Sequence, residues 1–300
     1  MPIYDGVHEL IGATPLVRLL RLSRENGGAE VCAKLESQNP GGSVKDRPAL
    51  AMLEAAERQG LVRPGSCVVE ATSGNTGISL AMLSAARGYR CMLVMPEDAS
   101  LARRLLLQAY GAQLVLTPAE QGMAGAVQKA EQLVRETPGA FMPRQFENLE
   151  NPAAHARTAD EIWRDTEGHI DAFVAGVGTG GTLTGVARVL KARKPGLRVI
   201  AVEPRASAVL SGGEPGLHGI QGLGAGFVPK VLERALIDHV LAVTDVAADR
   251  TARQLAHEEG LLVGTSAGAN VYAALTLAKT LPTTARVVTV LCDSGERYLY

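Results

Sequence analysis

The chain has 300 residues, 46% of them hydrophobic and only 4% aromatic, and its 30 basic and 31 acidic residues give a formal net charge of −1. This length predicts one large or two ordinary domains, and the balanced charge argues against nucleic-acid binding and against a polybasic membrane anchor. The N-terminus lacks the apolar run of a signal peptide, and no uncharged apolar stretch is long enough to span a bilayer. We therefore expect a soluble, cytoplasmic protein.

The cysteines and histidines give no sign of a metal site. The four cysteines, Cys32, Cys67, Cys91 and Cys292, form no CxxC pair and lie in or beside apolar, strand-like runs. The six histidines are scattered singly along the chain. Because neither pattern has the spacing of metal ligands, we expect buried, reduced thiols and no metal.

Short strand-like runs alternate with amphipathic helical runs along the chain. A first series predicts strands over 31–35, 67–70, 91–95, 113–116 and 140–142 and helices over 47–59, 77–87, 101–110 and 122–136. A second series predicts helices over 152–166, 182–194, 247–259 and 267–279 and strands over 172–175, 198–202, 240–243 and 286–291. Strands joined by helices of this length form parallel sheets with helices on both faces. We therefore predict two α/β lobes, joined near 146–152, with ligands at the carboxyl ends of the strands.

The segment NPGGSVKDR, residues 39–47, carries a single lysine at the mouth of a predicted helix. The positive end of the helix dipole disfavours a further positive charge at Lys45. This position favours a neutral amine that can condense with an aldehyde. The alternative is an ordinary lysine in a surface turn.

The segment EATSGNTG, residues 70–77, lies directly between a strand and a helix. Its hydroxyls, its amide and its free backbone N–H groups converge at the helix start, which predicts an anion site suited to the carboxylate of an amino acid. A helix cap alone would explain one polar residue here, but not four in five.

The segment GVGTGGT, residues 176–182, is a glycine-rich turn between a strand and a helix. Backbone amides in such a turn can close around a phosphate. Gly176, Gly178 and Gly181 also match GxGxxG, and Glu203 stands where a ribose-binding acid is expected. On this loop alone, an NAD-dependent oxidoreductase competes with the phosphate-binding interpretation, and glycines needed only for tight turns remain a third possibility.

Two further segments complete the candidate site. GTSAGA, residues 264–269, opens a helix, and Ser266 is either a simple N-cap or the donor of a hydroxyl to a ring nitrogen. The glycine-rich segment 207–226 lacks periodicity, so we predict a long loop near the site.

Taken together and in order, these motifs closely resemble the O-acetylserine sulfhydrylase (cysteine synthase) family of fold-type II, tryptophan synthase β-like enzymes. The resemblance runs almost end to end, from IGATPL at 11–16 to SGERYL at 294–299. It implies the cofactor pyridoxal 5′-phosphate, a smaller mobile lobe over 41–145 that binds the substrate carboxylate, and a larger cofactor-binding lobe over 1–40 plus 146–300. It also favours a phosphate, rather than a dinucleotide, at the glycine loop.

The resemblance assigns roles to individual residues. Lys45 is implied as the catalytic residue, which carries the cofactor as a Schiff base, and Asn75 as the partner of the phenolic oxygen. Ser266 is implied to meet the pyridine nitrogen. The residues implied to surround the cofactor phosphate are Gly178, Thr179, Gly180, Gly181 and Thr182. The residues implied to receive the substrate are Thr72, Ser73, Gly74, Thr76 and Gln145, with Gly222 in a loop lining the mouth.

The implied reaction is β-replacement, which makes L-cysteine from O-acetyl-L-serine and sulfide through an α-aminoacrylate intermediate. The first half of the chain, with SGNTGISLAM, resembles the B-type isozyme, and the later stretch from EPRASAVLSGG resembles the A-type. This mixture leaves sulfide, thiosulfate and a carrier-bound sulfur open as donors. Cystathionine β-synthase, which uses serine and homocysteine, is the nearest alternative. The resemblance further implies a homodimer and a possible complex with serine acetyltransferase.

Overall fold

The computed structural model describes residues 3–299, and within them the larger of two sheets has the strand order β1-β2-β10-β7-β8-β9. β1 runs antiparallel to β2, and all the other neighbours in this sheet are parallel. The strands are β1 Leu16–Arg18, β2 Glu30–Leu35, β7 Ala172–Gly176, β8 Arg198–Pro204, β9 His239–Val243 and β10 Arg286–Leu291.

The smaller sheet has the order β5-β4-β3-β6 and is parallel throughout. Its central strand β3 is buried at every position, as expected for a parallel sheet that is covered on both faces. The strands are β3 Cys67–Ala71, β4 Arg90–Pro96, β5 Gln113–Thr117 and β6 Ala140–Phe141.

Helices cover both faces of each sheet. They are α1 Leu20–Asn26, α2 Asp46–Arg58, α3 Asn75–Arg87, α4 Leu101–Ala109, α5 Gly122–Glu136, α6 Glu150–Asp165, α7 Gly181–Arg193, α8 Asp245–Glu259 and α9 Thr265–Ala278. One hydrophobic cluster of the larger sheet involves α1, α8 and α9, and the cluster on its other face involves α6 and α7. The smaller sheet packs against α2 and α3 on one side and α5 on the other. The predicted α/β class with two mostly parallel sheets is therefore confirmed.

Most predicted elements are present, with ends that differ by one or two residues. The sequence analysis missed β1 and α1, which have three and seven residues and are too short to show a clear period. The predicted crossing over 146–152 is shorter than expected, because α6 already begins at Glu150 and holds Pro152 in its first turn. The predicted long loop over 207–226 holds only a short 3-10 turn, Val209–Ser211, and the end of another.

A buried cluster of charges fixes the start of α2 to the elements of the larger sheet. The guanidinium of Arg47 binds Glu36 at 2.8 Å, just after β2, and Glu161 of α6 at 2.7 Å. Lys34 of β2, which is fully buried, also binds Glu161, at 2.8 Å. Because α2 begins directly after Lys45, this cluster anchors the backbone that carries the candidate lysine.

No helix in residues 3–299 combines the length and the apolar character that crossing a membrane requires.

Candidate active site

The predicted loops converge on one cleft at the carboxyl ends of the strands. β7 ends at Gly176 before α7, and β3 ends at Ala71 before α3. The predicted site residues that line the cleft are Lys45, Asn75, Gly178, Thr179, Gly180, Thr182, Gly222 and Ser266. Gly181, Thr72, Ser73, Gly74, Thr76 and Gln145 are not among its lining residues, although Gly181, Gly74 and Thr76 adjoin ones that are. Segments far apart in the chain therefore meet at a single cleft.

Lys45 occupies the N-cap position of α2, as the sequence predicted, and is half-buried. Its loop is held on both sides: the Val44 N–H donates to the carbonyl of Cys292 at 2.9 Å, and the buried carboxylate of Asp46 accepts from the Gly41 N–H at 2.5 Å. Burial raises the pKa of Asp46 to about 6, although hydrogen bonds from Ser79 and Gly41 favour its charged form. The amine is thus presented by a backbone that is fixed on both sides.

The glycine loop is closely packed. A Cβ atom at Gly178 would overlap the carbonyl oxygen of Gly222, and one at Gly181 would overlap the side chain of Asn151. Gly180 has φ +84°, a conformation that disfavours any residue with a Cβ. The loop ends at the start of α7, where the first backbone N–H groups of a helix have no intrahelical partner and attract anions.

Glu203 does not have the role that a dinucleotide would require. It is 1% exposed, and its carboxylate accepts from the backbone N–H groups of Leu210 at 2.8 Å and Ser211 at 3.1 Å and from the Ser211 hydroxyl. These bonds fix the loop after β8. Because its oxygens are committed to this loop, the GxGxxG match loses the acidic partner on which the oxidoreductase interpretation depended.

The loop after β3 is held by its own side chains and by Gln145. The Thr76 hydroxyl donates to Gln145 Oε1 at 2.6 Å, and the Gly74 N–H donates to the Thr72 hydroxyl at 3.2 Å. The N-cap of α3 is Gly74, with no side-chain cap, so the polar residues here are not explained as a helix cap. The predicted carboxylate residues are therefore brought together, next to Asn75 in the cleft.

The side-chain amide of Asn75 is oriented by residues that the sequence analysis did not identify. Its Nδ2 donates to Asp293 Oδ2 at 2.6 Å, and its Oδ1 accepts from Arg297 Nη1 at 2.6 Å. The Tyr298 hydroxyl donates to the same Asp293 oxygen at 2.5 Å. These contacts define which end of the amide is the donor and leave its second N–H free for a ligand.

His155 of α6 is a second residue that the sequence analysis missed. Its Nε2 lies 3.2 Å from the Thr182 hydroxyl, and its Nδ1 lies 3.1 Å from the Thr158 hydroxyl. Burial, together with the charges of Arg47 and Lys45, holds the pKa of the imidazole well below its usual range, so the ring is neutral. The sequence feature that could have identified His155 is the series of polar residues at 151, 155 and 158, which lie on the buried face of an amphipathic helix.

Ser266 is the second residue of α9, whose N-cap is Gly264. The interpretation of Ser266 as a simple N-cap is therefore wrong. Its side chain is buried and lies at the cleft wall, where the hydroxyl can both donate and accept.

These groups fit pyridoxal phosphate. The cleft combines an amine at Lys45, an oriented amide at Asn75 and a buried hydroxyl at Ser266 with a glycine loop whose helix start offers unpaired N–H groups. An aldehyde, a phenolic oxygen, a ring nitrogen and a phosphate each find a partner of suitable chemistry among them.

Comparisons with known proteins agree with this chemistry. The family model for pyridoxal-phosphate dependent enzymes matches residues 7–293. A cysteine synthase of Staphylococcus aureus is 53% identical over 297 residues, which cover 98% of this chain and 95% of that relative. A crystal structure of cysteine synthase from Entamoeba histolytica has a TM-score of 0.96 and 41% identity over 99% of this chain and 90% of that one. A crystal structure of an O-acetylserine dependent cystathionine beta-synthase from Helicobacter pylori has a TM-score of 0.93 and 38% identity over 100% of this chain and 98% of that one.

The family match covers most of the chain and includes the segments that form the cleft. The fold, the cleft and the matched residues therefore lead to the same conclusion: this chain belongs to the family of pyridoxal-phosphate dependent enzymes.

Proposed function

We propose that this protein makes L-cysteine from O-acetyl-L-serine and sulfide by replacing acetate with sulfide at the β-carbon. The observation that carries the proposal is the single cleft in which Lys45, Asn75, the glycine loop and Ser266 meet. The similarity to the cysteine synthase of Staphylococcus aureus, at 53% identity over nearly the full chain, supports the choice of substrates.

The chain's own residues hold the cofactor. Lys45 would attach it covalently through the amine, and Asn75 would donate its free N–H to the phenolic oxygen. The hydroxyl of Ser266 meets the ring nitrogen. The residues that enclose the phosphate are Gly178, Thr179, Gly180, Gly181 and Thr182.

Once bound, pyridoxal phosphate supplies an electron sink that stabilises negative charge at the substrate α-carbon. With the cofactor bound, Lys45 would be the base that takes the proton from the substrate α-carbon and returns it after sulfide has added. Ser266 is neutral, whereas an aspartate at this place would hold a proton on the ring nitrogen. A neutral partner weakens the electron sink, which favours loss of acetate over transamination.

The loop after β3 recognises the amino acid. Thr72, Ser73, Gly74, Thr76 and Gln145 receive its carboxylate, and Gly222 lines the mouth. We further propose that carboxylate binding draws the smaller lobe, residues 41–145, towards the larger lobe formed by 1–40 and 146–300. Closure excludes water during the reaction.

Visible spectroscopy tests the proposal. The purified protein should be yellow, its absorption band should shift when O-acetylserine is added, and the band should return when sulfide follows. Borohydride reduction and peptide mapping should place the cofactor on Lys45, and Lys45→Ala should lose both the label and cysteine formation. A colourless protein that binds NAD, or a comparable rate of cysteine formation by Lys45→Ala, would refute the proposal.

A second acceptor chemistry is favoured by one comparison. The similar protein from Helicobacter pylori is described as an O-acetylserine dependent cystathionine beta-synthase. Parallel assays should therefore offer sulfide, thiosulfate and homocysteine as acceptors with O-acetylserine, and homocysteine with serine. We expect the fastest turnover with O-acetylserine and sulfide. Faster turnover with homocysteine would assign the chain to cystathionine synthesis.

We propose a cytoplasmic homodimer, and a complex with serine acetyltransferase, from the family resemblance. Sedimentation of the purified protein should give twice the chain mass of 31.4 kDa. A peptide with the C-terminal sequence of an acetyltransferase should compete with O-acetylserine for the cleft if the complex forms there.

A further inference from the structure

Glu70 is a buried acid next to the loop after β3. It has no role in the reaction proposed above. It lies in β3, is 3% exposed and precedes Thr72 by two residues. Burial raises the pKa of Glu70 to about 7, although backbone N–H groups of Arg144, Ala71 and Gln145 favour its charged form. A carboxylate in such a place is costly unless it makes compensating contacts. Its partners therefore indicate its role.

The partner of the Glu70 carboxylate is the backbone of Arg144. Glu70 Oε2 accepts from the Arg144 N–H at 2.9 Å. Arg144 has φ +55°, a left-handed conformation that is unfavourable for a residue with a Cβ atom. Its side chain points away and binds Glu131 near the surface, at 3.3 Å. The buried carboxylate, rather than the side chain of Arg144, therefore compensates for the strained backbone.

The strained turn is followed by Gln145, which is connected by hydrogen bonds to loops on both sides of the cleft. Gln145 Oε1 accepts from the Thr76 hydroxyl at 2.6 Å, in the loop after β3. The Gln145 carbonyl accepts from Asn151 Nδ2 at 2.7 Å, and the same nitrogen donates to the Thr179 hydroxyl at 3.0 Å in the glycine loop. The position of Gln145 therefore depends on the turn at Arg144.

We infer that Glu70 is a positioning residue that sets Gln145 against Thr76 through the backbone of Arg144 and so determines the affinity for the amino-acid carboxylate. The inference rests on the proposed function in one respect, the binding of that carboxylate at Thr76 and Gln145. The contact between Glu70 and the turn does not depend on it.

The first test uses the protein without cofactor and needs no activity. Well above pH 7, where Glu70 is charged, Glu70→Gln replaces the charged acceptor with a neutral amide, so the bond to the Arg144 N–H weakens. Hydrogen exchange of the peptide that covers 143–147 should become up to about tenfold faster, because a hydrogen bond to a neutral acceptor is weaker than one to a charged acceptor. Glu131→Gln is the matched control, since it removes the other carboxylate that contacts Arg144, and exchange there should stay unchanged. Unchanged exchange in Glu70→Gln would overturn the inference.

The second test measures binding to the cofactor-loaded enzyme. L-Alanine carries the carboxylate but no leaving group, and its dissociation constant can be read from the shift of the visible band. Glu70→Gln should raise this constant about tenfold, while cofactor affinity stays within about twofold. Thr76→Val should raise it as well, and the double variant should be no weaker than the weaker single variant, because both changes break one contact.

The outcomes separate the two proposals. If Thr76→Val weakens alanine binding and Glu70→Gln does not, the role of Glu70 is wrong and the carboxylate site stands. If neither variant changes alanine binding, while exchange at 143–147 still responds to Glu70→Gln, the carboxylate site is misplaced. Should Glu70→Gln fail to fold, Glu70→Asp keeps the charge, shortens the reach and should change exchange in the same direction. Normal exchange and binding in Glu70→Asp would then overturn the inference.

Discussion

The glycine loop after β7 and the threonine-rich loop after β3 occupy equivalent places, each between the carboxyl end of a strand and the start of a helix. They are held in different ways. Gly178 and Gly181 lie so close to the backbone of Gly222 and the side chain of Asn151 that a Cβ atom would overlap them. Gly74, in the other loop, faces open space. The first loop is therefore shaped by steric packing.

The second loop is shaped by hydrogen bonds between side chains. Its bond from Thr76 to Gln145 is 2.6 Å long and joins two groups that a carboxylate can also engage. A loop fixed by packing suits a group that stays bound through many turnovers, because the entropy cost of ordering the loop is met when the protein folds. A loop fixed by exchangeable hydrogen bonds suits a substrate that enters and leaves. Close packing thus holds the loop that we propose binds the cofactor, and hydrogen bonds hold the loop that we propose binds the substrate.

The largest effect is expected outside both loops, at the buried charges that fix the start of α2. Glu161→Gln removes the carboxylate that Lys34 and Arg47 share, so that Arg47 keeps Glu36 and the fully buried Lys34 keeps the more distant Asp165, at 3.6 Å. Breaking a buried ion pair in this way costs about 3–5 kcal/mol in the free energy of unfolding. Urea denaturation at pH 6 measures it. Glu233→Gln, which breaks the exposed pair with Arg188, should cost less than about 1 kcal/mol.

The contacts of Glu161 with Arg47 and Lys34 also make the stability of the protein depend on pH. Burial raises the pKa of Glu161, but the hydrogen bonds and charges of Arg47 and Lys34 outweigh it and lower the pKa to about 2. Because the folded-state pKa lies below the unfolded value, this stabilisation is complete above pH 4.5 or so and is lost as the pH falls towards about 2. The difference in stability between the parent protein and Glu161→Gln should therefore shrink from pH 6 to pH 3. A constant difference would show that the pair does not titrate as described.

The next effect distinguishes the two loops directly. Gly178→Ala places a methyl group against the carbonyl of Gly222, and the backbone must shift. Forcing atoms into a packed site costs roughly 1–3 kcal/mol, so cofactor affinity should fall by up to about a hundredfold. Titration of the cofactor-free protein with pyridoxal phosphate measures the affinity. Gly196→Ala, whose Cβ meets nothing within 4 Å, should bind the cofactor normally.

A smaller effect is expected at the hydrogen-bonded loop. Thr76→Val keeps the shape of the side chain but removes the hydroxyl that contacts Gln145. We expect about a tenfold increase in KM for O-acetylserine, the loss of one hydrogen bond to a charged group, with cofactor affinity unchanged. Steady-state kinetics and a cofactor titration of the same preparation check both parts. A loss of cofactor binding would mean that the two loops are not held independently.

Much of the fold was predictable from local pattern. Strand runs such as 91–95 are short apolar segments, helices such as 122–136 have a clear period, and the structure confirms both. β1 was not predictable, because its three residues gain their strand conformation only by pairing with β2. The predicted start of α6 at Pro152 was too late, because proline is common at the first position of a helix. In the structure Pro152 lies within the first turn.

The candidate site was predictable as a set of loops but not as a set of contacts. Motifs brought Lys45, Asn75 and Ser266 into consideration, and the structure places all three at one cleft. The partners of Asn75 are 218 and 222 residues away in the chain, at Asp293 and Arg297. No local period or spacing encodes such pairs, because they arise only when the last strand of the larger sheet returns beside the first loops.

The smallest effect should come from the substitution that most directly contrasts the two loops. Gly74→Ala adds the same methyl group as Gly178→Ala, also in a loop that leads into a helix, but its Cβ meets nothing within 4 Å and its φ is −109°. Because neither packing nor backbone conformation opposes the change, cofactor affinity should stay within about twofold. The same titration used for Gly178→Ala measures this affinity. If Gly74→Ala instead lost the cofactor, close packing would not be what distinguishes the glycine loop. The loop after β3 would then be equally intolerant of an added methyl group.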